Sequence, residues 1–200
     1  MRKLLSLSLM LFLWTFMAWG QTATTSFPLI ESFDGVTFPP TGWTTQKTAG
    51  TGTPGTWDRQ TAGTNPTCSP HSGAAMTRYN CYNLSSGTKG TLITPSLQFD
   101  NDNFRVKFWM YRDNGYTSNN DLVNVYYNTS NSLTGATLLG TINRCRTKTP
   151  IVATDGWYEY SYNMPVGSTG SGRYIIFEGV SAYGNNMFLD DVTIEEIPTL

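Results

Sequence analysis

The stretch Phe104-Arg105-Val106-Lys107-Phe108-Trp109-Met110-Tyr111-Arg112 alternates strictly. Phe104, Val106, Phe108 and Met110 fall on one face of an extended strand, and Arg105, Lys107, Trp109 and Tyr111 on the other. Period-2 alternation over nine residues is the mark of a half-buried β-strand, because successive side chains in a strand point to opposite faces. Asp113-Asn114-Gly115 follows with turn chemistry, then the apolar run Leu122 to Tyr127. Working outward, similar short runs occur at Phe27–Phe33, Ala74–Tyr79, Gly90–Ile93, Thr137–Ile142, Trp157–Met164, Arg173–Val180 and Met187–Ile194. Gly, Pro, Asn and Thr clusters separate them, and no window has a helical period with caps. Short strands at this spacing predict an all-β fold, an antiparallel β-sandwich with jelly-roll topology.

The N-terminus sets the compartment. Arg2 and Lys3 precede an apolar run from Leu4 to Trp19, with small Ala18 and Gly20 at the spacing of a cleavage site. Residues 1–20 therefore read as a signal peptide, 21–26 as a linker, 27–197 as one domain and 198–200 as a tail. The run is short for a membrane span, so membrane insertion is not expected. Net charge is −1 and 14% of residues are charged, a balance with no basic footprint for nucleic acid. Three cysteines are too few for a disulfide framework, and Cys68 with Cys81 closes the shortest loop as a possible disulfide.

Two acids stand where core residues belong. Glu31 shares a face with Leu29 and Phe33, and Asp190 with Phe188, Val192 and Ile194. A carboxylate turned into an apolar layer must be protonated, paired or bound to a cation. If the first and last strands adjoin, Glu31 and Asp190 can converge on one ion, with Asp34 and Asp191 as adjacent reserves. Period-2 geometry lets Asp190 and Asp191 share it only where the strand end twists or a loop folds over. Calcium, a hard cation taking six to eight oxygens, suits an exported protein; pairing with Lys or Arg, or simple solvation, is the alternative. Asp100-Asn101-Asp102-Asn103 lacks the Gly and Glu of a calcium loop and reads as a turn.

No nucleophile motif accompanies the single histidine, His71, so the chain is not expected to be an enzyme. Arg105, Trp109 and Tyr111 on the polar face of the central strand, with Asn124 and Tyr126 beside them if the next strand pairs as a hairpin, make an aromatic and polar platform for a ligand. The alternative is that these aromatics are covered by a second packing layer. The tyrosine row Tyr158, Tyr160 and Tyr162 is equally open to packing or contact.

The ordered set of segments also resembles a known family. Glu31-Ser32-Phe33-Asp34-Gly35, Phe38-Pro39-Pro40-Thr41-Gly42-Trp43, His71-Ser72-Gly73, Leu92-Ile93-Thr94-Pro95, Phe108-Trp109-Met110, Arg173–Gly179 and Phe188-Leu189-Asp190-Asp191-Val192 are similar to cleaved-adhesin or choice-of-anchor J domains of secreted Bacteroidetes proteins. That resemblance implies a jelly roll like those of MAM domains and carbohydrate-binding modules, with calcium supporting the fold through Glu31 and the Asp190-Asp191 pair. It implies a secreted or cell-surface binding module whose partner is an extracellular protein or glycan. A carbohydrate-binding module of a polysaccharide-degrading or surface system, and a purely structural module of a longer surface protein, are the alternatives.

Overall fold

The computed structural model describes residues 22–198, so the segment read as a signal peptide lies outside the described residues. The described chain holds twelve strands and no helix: β1 Leu29–Glu31, β2 Thr44–Ala49, β3 Trp57–Gln60, β4 Met76–Tyr79, β5 Lys89–Ile93, β6 Leu97–Phe99, β7 Phe104–Arg112, β8 Leu122–Asn128, β9 Thr137–Asn143, β10 Gly156–Asn163, β11 Gly170–Val180 and β12 Met187–Glu196. One sheet runs β10-β7-β12-β4-β3 and the other β2-β5-β11-β8-β9, and every strand pair is antiparallel. The two sheets pack face to face as a β-sandwich. Each is organised on one long strand with two short strands sharing an edge. β12 carries β4 at Met187–Leu189 and β1 at Val192–Ile194; β11 carries β5 and β6 in the same way.

The central strand behaves as its alternation predicts: Phe104, Val106, Phe108 and Met110 are buried in the core. They meet Val123, Val125, Ile175 and Phe177 of the opposite sheet, and Phe108 stands edge-on to Phe177 at 5.0 Å. Close approach of the sheets needs glycine at one place. Gly90 and Gly179 are cross-strand partners, and a Cβ on Gly179 would lie 2.5 Å from the Tyr79 ring of the opposite sheet. Trp57 packs beside Tyr79 and donates its indole N–H to the Gly90 carbonyl, satisfying its one polar atom inside the core.

Some elements depart from the pattern. Thr44–Ala49, Trp57–Gln60 and Leu97–Phe99 are strands outside the runs read from the sequence: the first is a polar edge mostly open to solvent, and the other two are only four and three residues long. The stretch read as linker is tied down, because Thr24 exchanges hydrogen bonds with Ser96 and Gln98 alongside β6. The possible Cys68–Cys81 disulfide is corrected: all three cysteines are free thiols. Cys81 is fully buried beside Ser181, while the Cys68 sulfur lies against Gly63 in a different turn.

Candidate functional site

Three of the four acids, Asp34, Asp190 and Asp191, hold one loop, in an arrangement that alternation alone does not predict, while Glu31 bonds the N–H of Phe33 beside them. Between Asp190 and Thr193 the register of β12 against β7 slips by a β-bulge, and Asp191 takes a left-handed φ of 47°. An extra residue inverts the alternation. Met187 and Leu189 face the core before the bulge, Val192 and Ile194 after it. Asp190 therefore shares its face with Phe188 as expected but not with Val192 and Ile194, a correction to the reading from the residues. It stands on the outer face, opposite Trp109 of β7. Glu31 pairs with Val192 from β1, so it flanks the gap between β1 and β4 where the bulge lies.

Although it is on the outer face, Asp190 is wholly inaccessible to solvent. The β3–β4 connection, residues 61–75, crosses over it. Asp190 Oδ2 accepts the backbone N–H groups of His71 at 2.8 Å and Ser72 at 3.3 Å, and Oδ1 accepts that of Asp191 at 2.8 Å. Asp191 Oδ2 lies 2.6 Å from His71 Nδ1, and its Oδ1 accepts the Ser72 hydroxyl at 2.8 Å. Asp34 completes the clamp by accepting the backbone N–H groups of Ala74 and Ala75. Between them Gly73, at a φ of 58°, leaves no room for a side chain, since a Cβ would sit 2.0 Å from Asp34 Oδ2. Acids from the two ends of the chain thus staple one loop.

The electrostatics of these acids differ. Burial, and then the charge of Asp191, pushes the Asp190 carboxyl up to about 7, against the pull of its N–H donors. Among the described residues no Lys, Arg or His side chain pairs with it. Glu31 is also raised, chiefly by burial, while the N–H of Phe33 donates to it and Asp34 repels it. Asp34 is lowered, first by the Ala74 hydrogen bond. Arg59 donates to the carbonyls of Phe33 and Asp34 in the same junction.

These donors are hard oxygens, the type calcium prefers, and Asp190 is a buried carboxylate with no cation of its own. Against that, among the described residues no three His, Cys, Asp or Glu side chains are grouped closely enough to hold a metal by themselves. Among the described residues no hydrogen bond links Glu31 to Asp190, so an ion held by either would take most of its shell from carbonyls and water.

The ligand platform is divided by the topology. β7 pairs with β10 and β12, whereas β8 pairs with β11 and β9 in the other sheet. The expected hairpin is therefore corrected: the chain crosses between sheets after Asp113, and Arg105, Trp109 and Tyr111 lie on the opposite side of the sandwich from Asn124 and Tyr126. Each half is also occupied. Arg105 and Lys107 pair with Glu195 at 2.6 and 3.0 Å. His71 stacks on Trp109 with ring centres 3.8 Å apart, and Trp157 stands edge-on to Tyr111 at 5.5 Å. Asn124 and Tyr126 donate to Glu178, which is 4% exposed. Of the tyrosine row, Tyr160 and Tyr162 pack against the core, and Tyr158 bonds the backbone of Thr154. The second packing layer, raised as the alternative, is what the structure contains over Trp109.

The loop at His71 is legible in the sequence only through the family resemblance, as one that could offer backbone oxygens; toward Asp190 it offers backbone N–H groups instead. Its signals in the residues themselves were the lone histidine beside Ser-Gly and the paired aspartates far downstream. Nothing in a single sequence links them.

No protein-family model matches the chain, and no curated protein matches it. Solved structures do. The K1 cleaved adhesin domain of Lys-gingipain from Porphyromonas gingivalis W83 superposes with a TM-score of 0.60 at 19% identity, covering 86% of this chain and 100% of that one. The K2 cleaved adhesin domain of Lys-gingipain gives 0.61 at 17%, covering 86% and 99%. The carbohydrate-binding module TmCBM61, solved in complex with β-1,4-galactotriose, gives 0.52 at 18%, covering 83% and 94%. The chain has the β-sandwich fold of the gingipain cleaved adhesin domains, over nearly all of its described length.

Proposed function

We propose that this protein is an exported, non-catalytic binding module of the cleaved-adhesin kind, recognising an extracellular glycan or protein. The observation that carries this reading is the shared fold: two adhesin domains and a galactotriose-bound module superpose on more than four-fifths of the chain. The state of the thiols agrees with a non-catalytic role. Burial pushes Cys68 up to about 12 and raises Cys81 as well, which keeps both as poor nucleophiles. Calcium is part of the proposal. Asp190 and Glu31, with Asp191 and Asp34 at hand, would hold the ion where the first and last strands meet. Bound there, it would offset the charge that Asp190 carries in a dry environment and fasten the chain ends.

Binding of the mature protein to a glycan array and to immobilised extracellular-matrix proteins, each with calcium and with EGTA, tests both parts. Retention on either class of ligand supports the module; binding to neither overturns it. Equal thermal stability in calcium and EGTA overturns the ion while leaving the module intact.

A further inference from the structure

One end of the sandwich carries an aromatic cluster that none of the features above uses. The β4–β5, β7–β8 and β11–β12 connections meet there. They bring Tyr82, Asn83, Tyr116 and Tyr183 around an open pocket of about 120 Å³. The three rings are 37%, 50% and 60% exposed, on a surface whose other aromatics are mostly packed. Tyr82 and Tyr116 meet edge to face at 6.2 Å.

Two of these residues are held in an unfavourable backbone conformation. Tyr116 has φ 47° and Tyr183 φ 64°. A bulky L-residue is disfavoured in the left-handed region, and exposed rings recover little of that strain by packing. What maintains the geometry lies underneath. Arg144, wholly buried, pairs with Asp113 at 2.7 Å and Asp121 at 3.2 Å, and donates to the Tyr116 carbonyl. Asp121 accepts the N–H groups of Ala182 and Gly184 on either side of Tyr183, and Asn186 accepts that of Tyr82. Each tyrosine is therefore positioned by polar contacts to its own backbone or to that of its immediate neighbours. Such support fixes side chains ahead of binding and reduces the entropy lost on contact.

The lining also defines the ligand. No charged side chain borders the pocket, so an ion is not favoured. Its volume is below the several hundred Å³ of a drug-sized site. Phenol rings offer flat apolar surface, while phenol hydroxyls and the Asn83 amide offer donors and acceptors at its edge. A sugar ring has the matching character: one face of C–H groups, with neutral hydroxyls around it. We propose that Tyr82, Asn83, Tyr116 and Tyr183 bind one neutral sugar residue of an extracellular glycan. This rests on reading the chain as a binding module and names its ligand class and contact residues.

The test is saturation-transfer NMR and calorimetry on the mature protein with galactotriose, xylotriose, cellotriose and maltotriose. At least one should bind with millimolar affinity or better, with saturation on the ring protons of a single sugar unit. Tyr116→Ala and Tyr183→Ala should each weaken that binding about ten-fold or more. Tyr116→Phe, which keeps the ring, should retain most of it. Tyr126→Ala, on the outer face of the other sheet, should leave it unchanged. Thermal unfolding of each variant shows that it is folded. No binding of any of the four sugars overturns the proposal, and retention on matrix proteins would then keep the module reading. Sugar binding lost in Tyr126→Ala but kept in both alanine variants at the pocket would overturn this site alone.

Discussion

The buried carboxyl of Asp190 makes a prediction about pH that has a definite sign. Its ordinary value is 3.8, and in the fold it is raised to about 7. A group whose folded value is raised binds its proton more tightly in the native state. Its favourable contribution is complete below pH 3.8 and is lost as the pH climbs through 7. At 1.36 kcal/mol per pH unit, the span between the two values amounts to about 4 kcal/mol as an upper bound. Only the two pH units from 5 up to the folded value of about 7 lie inside the range pH 5 to pH 8, so roughly 2–3 kcal/mol of that bound is the expected loss there. For a domain of this size that corresponds to a fall in Tm of about 5–10 °C. The assay is thermal unfolding in EGTA across that range for wild type and Asp190→Asn. Differencing the two profiles removes every group whose titration is independent of Asp190. The variant should be less stable at pH 5, because an amide places a donor against one of the three N–H groups that Asp190 accepts. It should then close the gap as the pH rises. Parallel profiles would refute the argument that burial of Asp190 is what opposes its ionisation. A repeat in calcium extends the experiment, since a cation favours the ionised carboxylate and should flatten the wild-type profile.

Other expectations follow from packing and polar satisfaction. Arg144→Ala should cost about 3–5 kcal/mol in denaturant unfolding, since it leaves Asp113 and Asp121 buried without their cation. Gly179→Ala should destabilise by about 1–3 kcal/mol, because the new methyl meets the Tyr79 ring across the sandwich; a neutral result would show that the sheets can separate locally. At position 183, glycine should be more stable than alanine by about 1 kcal/mol, the reverse of the usual order, because φ is 64° there. His71→Ala should release Trp109 from its stacking partner, read as a shift in tryptophan fluorescence and a loss of about 1–2 kcal/mol.

Much of the architecture was legible in short-range pattern. The alternation of Phe104–Arg112, and the turn residues between apolar runs, specify extended strands with one apolar face. Two sheets closing on those faces then follow, because only packing them together buries so many large side chains. The acids at Glu31 and Asp190 were legible as anomalies for the same reason: a carboxylate in an apolar row demands an explanation. What the pattern could not carry is which strands are neighbours and where alternation breaks. β7 and β8 adjoin in sequence yet lie in different sheets, which scattered the residues expected to form one platform. A single bulge at Asp191 reversed the face of everything before it, and no residue type announces a bulge. The loop held by Asp34, Asp190 and Asp191, and the tyrosines gathered from three connections, join residues that are distant in sequence, as far as 120 positions for His71 and Asp191. Period-2 pattern is a property of one strand and its two faces. Register, bulges and loop convergence are properties of pairings between distant segments, so they exist only once the chain has folded.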